Sequence, residues 1–136
     1  MHFSAILHRA DFICPECNSP TLAIVASLEL PSDGRSDEIT AQAIRCASCG
    51  FVGGAAYEES RRGSLDSEAW TRLGYRLPPA RANALRELIE SCPNPTDPEC
   101  RCRAHEEIGK LENDRWIGLW TWGATQATQF ALVSAH

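Results

Sequence analysis

Apolar residues recur with a period of two over residues 21–30, where Leu22, Ile24, Ala26, Leu28 and Leu30 alternate with Thr21, Ala23, Val25, Ser27 and Glu29. That period collects one set of side chains on one face and predicts a strand. Pro31-Ser32-Asp33-Gly34-Arg35-Ser36-Asp37 is rich in turn formers and predicts a loop. A second strand is expected from Ile39 to Arg45 and a third from Phe51 to Tyr57, which makes residues 12–57 a small β module.

Beyond residue 60 the spacing turns helical. Asp66 or Ser67 is placed to cap a short helix carrying Ala69, Trp70 and Leu73 and ending near Gly74. Pro78-Pro79 opens a longer helix to about Ser91, with Leu85, Leu88, Ile89 and Cys92 on one stripe; Pro93 and Pro95 end it. A third helix is expected from about Cys102 to Asn113, with Ile108 and Leu111 inward. Trp116-Ile117-Gly118-Leu119-Trp120-Thr121-Trp122 reads as a turn-like aromatic segment, more often core than partner surface, and weak alternation over residues 125–134 predicts a final strand. The expected fold class is α+β. A three-stranded module over residues 1–60 precedes a mostly helical, proline-rich module over 61–136 that ends in a strand.

Composition narrows the function classes. A length of 136 residues suits one domain or two small modules, and no apolar run approaches the roughly 18 residues that cross a bilayer. Met1 to Arg9 is too short and polar for a secretory signal, so the expectation is a soluble cytoplasmic protein with no membrane partner. A net charge of −5 does not attract phosphate backbones overall. Locally, Arg61, Arg62, Arg72, Arg76, Arg81 and Arg86 make a net-basic stretch, which solvated helix faces explain more often than a nucleic-acid surface does. Twelve arginines against one lysine, with abundant alanine, fit a GC-rich bacterial genome.

Seven cysteines change the picture most. In a reducing compartment they serve metals or redox chemistry, and an odd number excludes complete disulfide pairing. Cys14-Pro15-Glu16-Cys17 and Cys46-Ala47-Ser48-Cys49 are two Cys-x-x-Cys turns, each able to aim two sulfurs at one metal. Together they predict a four-cysteine centre with no open coordination position, which makes the metal structural. Zinc is favoured, because nothing else in the chain indicates a redox partner; ligand spacing alone leaves iron open. These turns, with Gly50 after the second and Asn18 after the first, resemble the paired knuckles of zinc-ribbon and rubredoxin-like modules over residues 12–57. Gly50, Gly53 and Gly54 disfavour the helix that a treble-clef finger would place after Cys49. The resemblance implies a metal site and leaves function open.

Cys92, Cys100, Cys102 and His105 form a second candidate centre of three thiolates and one imidazole. Residues i and i+2 of a helix point to nearly opposite sides, so Cys100 and Cys102 share an ion only if the helix begins at or after Cys102. Cys102 and His105 then share a face. A core thiol at Cys92, a helix that starts earlier at Asp97-Pro98, or a redox-sensing pair of Cys100 and Cys102 are the competing readings. With no nucleotide loop, no nucleophile beside a base and no open metal position, the chain reads as a non-catalytic zinc protein. The expected role is an interaction adaptor or an accessory subunit of a larger complex. The alternatives are a nucleic-acid-binding ribbon using Arg45 and the arginines of residues 61–86, and a rubredoxin-like iron electron carrier.

Overall fold

A computed structural model describes residues 11–61 and 69–136. Strand β1 (Leu22–Leu30) forms over the expected span. A bulge between Ile24 and Ala26 turns Leu22 and Ile24 to the face of Ile44 and leaves Leu28 and Leu30 on the face of Ile39 and Ala41, so the alternation does not line a single face. Strands β2 (Glu38–Cys46) and β3 (Val52–Ser60) follow in an antiparallel meander. The next strand, β4 (Ala69–Arg76), replaces the helix expected at Ala69, Trp70 and Leu73. Thr71, Tyr75 and Trp70 favour extended backbone. The ladder also pairs β4 with β3 along its whole length, from Ser60↔Ala69 to Gly53↔Arg76. The caps expected at Asp66 and Ser67 lie outside the described residues.

Gly74 sits within β4 and ends no helix. The ring of Phe130 lies across it from the neighbouring strand, and a Cβ at this position would come within 2.5 Å of Cζ. That strand, β7 (Gln129–Ala131), completes one five-stranded sheet in the order β1-β2-β3-β4-β7. The sheet therefore runs across residue 60. Segment 11–13 then bridges its two edges at one end. Phe12 pairs with Leu22 on one side and Ser134 on the other, and the N–H of Ile13 donates to the carbonyl of Val133 at 2.8 Å.

Helix α1 (Pro79–Glu90) takes its first turn from Pro79, whose fixed φ and missing N–H suit that position. It lays Ala82, Leu85 and Ile89 on the sheet face formed by Leu28, Leu30, Ile39, Ala41 and Ala43. Gly54 admits this layer, because a Cβ there would meet Leu119 Cδ1 at 2.9 Å. Helix α2 (Arg103–Ile108) is shorter than the spacing predicts. Asn113 and Asp114 both adopt positive φ, which builds a tight hairpin between β5 (Leu111–Glu112) and β6 (Arg115–Trp116) in place of a further turn of helix. Leu111, expected inward, is 53 % exposed. Among its described residues the second half is thus not mostly helical, since four strands lie there beside two helices and short 3-10 turns at Trp120–Trp122 and Gln126–Thr128. The α+β class holds. Trp116 and Trp122 are core, whereas Trp120 is 62 % exposed.

Candidate metal centres

The two Cys-x-x-Cys turns fold alike because their sequences impose the same hydrogen bonds. The N–H of Asn18 donates to the carbonyl of Cys14 at 2.9 Å, and that of Gly50 donates to Cys46 at 3.0 Å. Asn18 and Gly50 both take positive φ, 66° and 81°, which reverses each chain behind its sulfurs. The N–H of each leading cysteine is bound in turn, Cys14 to the carbonyl of Ser19 and Cys46 to that of Phe51, both at 2.8 Å. The first turn precedes β1 and the second ends β2. Pairing of Leu22 with Cys46 therefore brings the two together.

The four sulfurs lie within 4.8 Å of one another, with Cys14–Cys49 and Cys17–Cys46 separations of 3.7 Å. A tetrahedron with metal–sulfur bonds of about 2.3 Å has edges of about 3.8 Å, so the donor set fits one ion. Cys14 and Cys46 are fully buried against Phe12, Leu22 and Ile44, while Cys49 is exposed. Thr21 Oγ1 lies 3.1 Å from Cys46 Sγ. Burial pushes the Cys46 thiol up, but the Thr21 hydroxyl and the N–H groups of Cys49 and Ser48 outweigh it and bring Cys46 down to about 6. At Cys49 the Phe51 N–H favours the thiolate, yet burial and three neighbouring thiols prevail and push it up to about 12. A bound cation is what lets all four ionise together.

The second group gathers in the same way. Cys92 follows the last turn of α1, its N–H donating to the carbonyl of Ile89, and its sulfur lies 3.8 Å from that of Cys100 and 3.6 Å from His105 Nδ1. Cys102 is the N-cap of α2, so this helix begins just past the cysteine, as sharing an ion requires. Its Sγ accepts the backbone N–H of His105 at 3.4 Å and lies 3.1 Å from that residue's Nδ1. Asp97-Pro98 stays in the connecting turns. Burial and neighbouring thiols push Cys92 up to about 11. At Cys102 burial opposes ionisation, but His105 contacts dominate and bring the thiol down to about 6. All four donor atoms again lie within 4.8 Å of one another.

Sequence reasoning missed the groups that hold the donors. With Nδ1 turned to the thiols, His105 Nε2 carries its proton and donates to the carbonyl of Glu29 at 2.9 Å. The N–H of Glu29 donates to the carbonyl of Pro95 at 2.8 Å, which pins the proline-rich connection to the same residue. No side-chain pattern marks a backbone anchor, whereas Thr21 was a legible hydroxyl with no legible direction. The centres stand near opposite ends of β1, on the order of 20 Å apart at about 3.3 Å per residue, and so are two separate sites.

The arginines are largely engaged. Arg61 pairs with Glu38 and Glu59, Arg76 with Glu16, and Arg86 with Glu90. Arg81 donates to the Thr121 carbonyl and covers Trp122. Glu58 accepts from Ser36 and faces Arg115. No helix among the described residues is long and apolar enough to cross a membrane. Comparison of the chain with known protein families, with curated proteins and with solved structures gives no match.

Proposed function

We propose that this is a non-catalytic protein built around two structural zinc ions, one held by Cys14, Cys17, Cys46 and Cys49 and the other by Cys92, Cys100, Cys102 and His105. The observation that carries the reading is the convergence of two complete four-donor sets at the two ends of one strand. Each set fills a tetrahedron with protein atoms, so neither metal has a position for substrate. Binding free energy at both sites is then folding free energy, fixing loops that little apolar surface orders. On this reading the protein is an adaptor or accessory subunit. The exposed Trp120 and Trp70, 62 % and 61 % accessible, are the side chains best suited to anchor a partner.

The pairing of Arg61, Arg76 and Arg86 with carboxylates, three of the five described arginines of that stretch, weighs against the nucleic-acid alternative. Native mass spectrometry with and without chelator tests the zinc reading. Two zinc ions per chain are expected, with a co-purifying subunit when the protein comes from its own host. A coloured, iron-containing protein points to the rubredoxin-like carrier instead, and a count of one removes the second centre.

A further inference from the structure

The turn at Trp120–Trp122 holds one large side chain in water. Leu119 and Trp122 are buried on either side of Trp120, and the Arg81 guanidinium lies 4.9 Å from the centre of the Trp122 ring. The N–H groups of Trp122 and Ala124 donate to the carbonyl of Leu119 at 2.8 and 3.2 Å, and that of Gly123 donates to Trp120 at 3.0 Å. Gly118 and Gly123 take positive φ, 73° and 102°, and reverse the chain before and after the turn. With its neighbours fixed inward, the Trp120 indole is left exposed.

That indole is one wall of a groove of about 320 Å³, shared with Tyr75, Ile117, Thr125, Gln126 and Gln129. Register sets Gln129 directly opposite Tyr75, so their side chains leave the same face of the sheet. Thr125 caps the 3-10 turn that begins at Gln126, accepting the N–H of Thr128 at 3.2 Å, which fixes the backbone from which Gln126 projects. Both glutamines are exposed, and among the described residues no hydrogen bond uses their side-chain amides. No side chain lining this groove is charged, whereas three other grooves of the fold each carry two or more charged side chains. A phosphate or carboxylate ligand needs a charged partner, and this groove offers none.

We propose that this groove binds an uncharged saccharide, one sugar ring lying against Trp120 with its hydroxyls hydrogen-bonded to Gln126 and Gln129. The indole offers a flat apolar face to the C–H side of the ring. Each carboxamide both donates and accepts, as a hydroxyl does. The size agrees: small-molecule sites measure about 300–1,000 Å³, whereas a folded partner covers about 800 Å² of open surface. The inference rests on neither metal and goes beyond the adaptor reading, since it names what Trp120 anchors.

The test is an NMR titration of the full, metal-loaded chain with neutral sugars: glucose, galactose, mannose and N-acetylglucosamine. The Trp120 indole N–H and the side-chain amides of Gln126 and Gln129 are the signals followed. Saturable shifts of all of them are expected with at least one sugar. Trp120→Ala, at an exposed position, should keep the rest of the spectrum and weaken that sugar about ten-fold. Gln126→Leu should weaken it about five-fold through the lost hydrogen bond. Absence of a saturable shift with every sugar overturns the site whether or not the variants fold. Tighter binding of phosphorylated glucose than of glucose overturns the neutral ligand. A proline-rich peptide that shifts the same signals and binds tighter than every sugar overturns the saccharide and gives the groove to a polypeptide.

Discussion

His105 Nε2–H and the carbonyl oxygen of Glu29 meet at 2.9 Å, which ties a donor of the second centre to the penultimate residue of β1. The other backbone group of Glu29 holds Pro95. Loss of the metal from this centre should therefore loosen the far end of β1 and leave the Leu22 end intact. His105→Ala is expected to reduce the metal count by one and to speed hydrogen exchange at the Glu29 amide. His105→Cys can keep the metal while losing the bond to Glu29. Unchanged Glu29 protection in His105→Ala would show that the contact does not couple centre and sheet.

Thr21 makes a comparable contact at the first centre, where its hydroxyl supports the Cys46 thiolate. Replacing it with Val keeps the shape and removes the hydrogen bond. Outer partners of metal ligands are worth about 10–100-fold in affinity, so Thr21→Val should release metal to a competing chelator at a correspondingly lower chelator concentration. The second centre should be unaffected. Equal loss at both would mean that the substitution acts through global stability.

Asp33 lies buried in the loop between β1 and β2, accepting the N–H groups of Arg35, Ser36 and Trp116 and facing the Arg115 guanidinium. Burial raises its carboxyl, but these donors and the Arg115 charge outweigh it and hold the group below its usual 3.8. A lowered carboxyl stabilises the fold above its unfolded value and loses that contribution as pH falls through the folded one. Acid unfolding should accordingly steepen below about pH 4 in the wild type and flatten there in Asp33→Asn. At neutral pH, Asp33→Ala should cost about 1–3 kcal/mol in denaturant melts, because the buried N–H groups of Ser36 and Trp116 lose their acceptor while Arg115 keeps Glu58.

The absence of a side chain at Gly74 makes room for Phe130. Gly74→Ala is expected to cost about 1–3 kcal/mol through overpacking, and Phe130→Leu should recover part of that loss. Additive losses in the double variant would show that the two positions do not press on each other.

Much of the donor set was legible because it is locally encoded. Two residues between cysteines, then Asn18 or Gly50, specify a turn whatever lies beyond it. Side-chain directions required a helix start at or after Cys102 if Cys100 and Cys102 were to share an ion, and the helix begins there, although the sequence left an earlier start at Asp97-Pro98 open. Residues 69–76 were not legible. Ala69, Trp70 and Leu73 suit a helical stripe as well as a strand, and pairing with β3 decided between them. Leu111 was misjudged for a related reason, since the positive φ at Asn113 and Asp114 turns the chain back before a helix can continue.

The sequence by itself determined which eight residues can serve as metal donors, the first three strands and the long helix, because ligand spacing, strand alternation and proline placement act over a few residues. Only the tertiary structure decided that both donor sets sit at the ends of β1 and that Glu29 anchors one of them. It also decided that segment 11–13 joins the sheet's edges. Those outcomes depend on which backbone groups find partners across tens of residues. Strand pairing and burial settle such partnerships for the whole chain at once, and no local pattern encodes them.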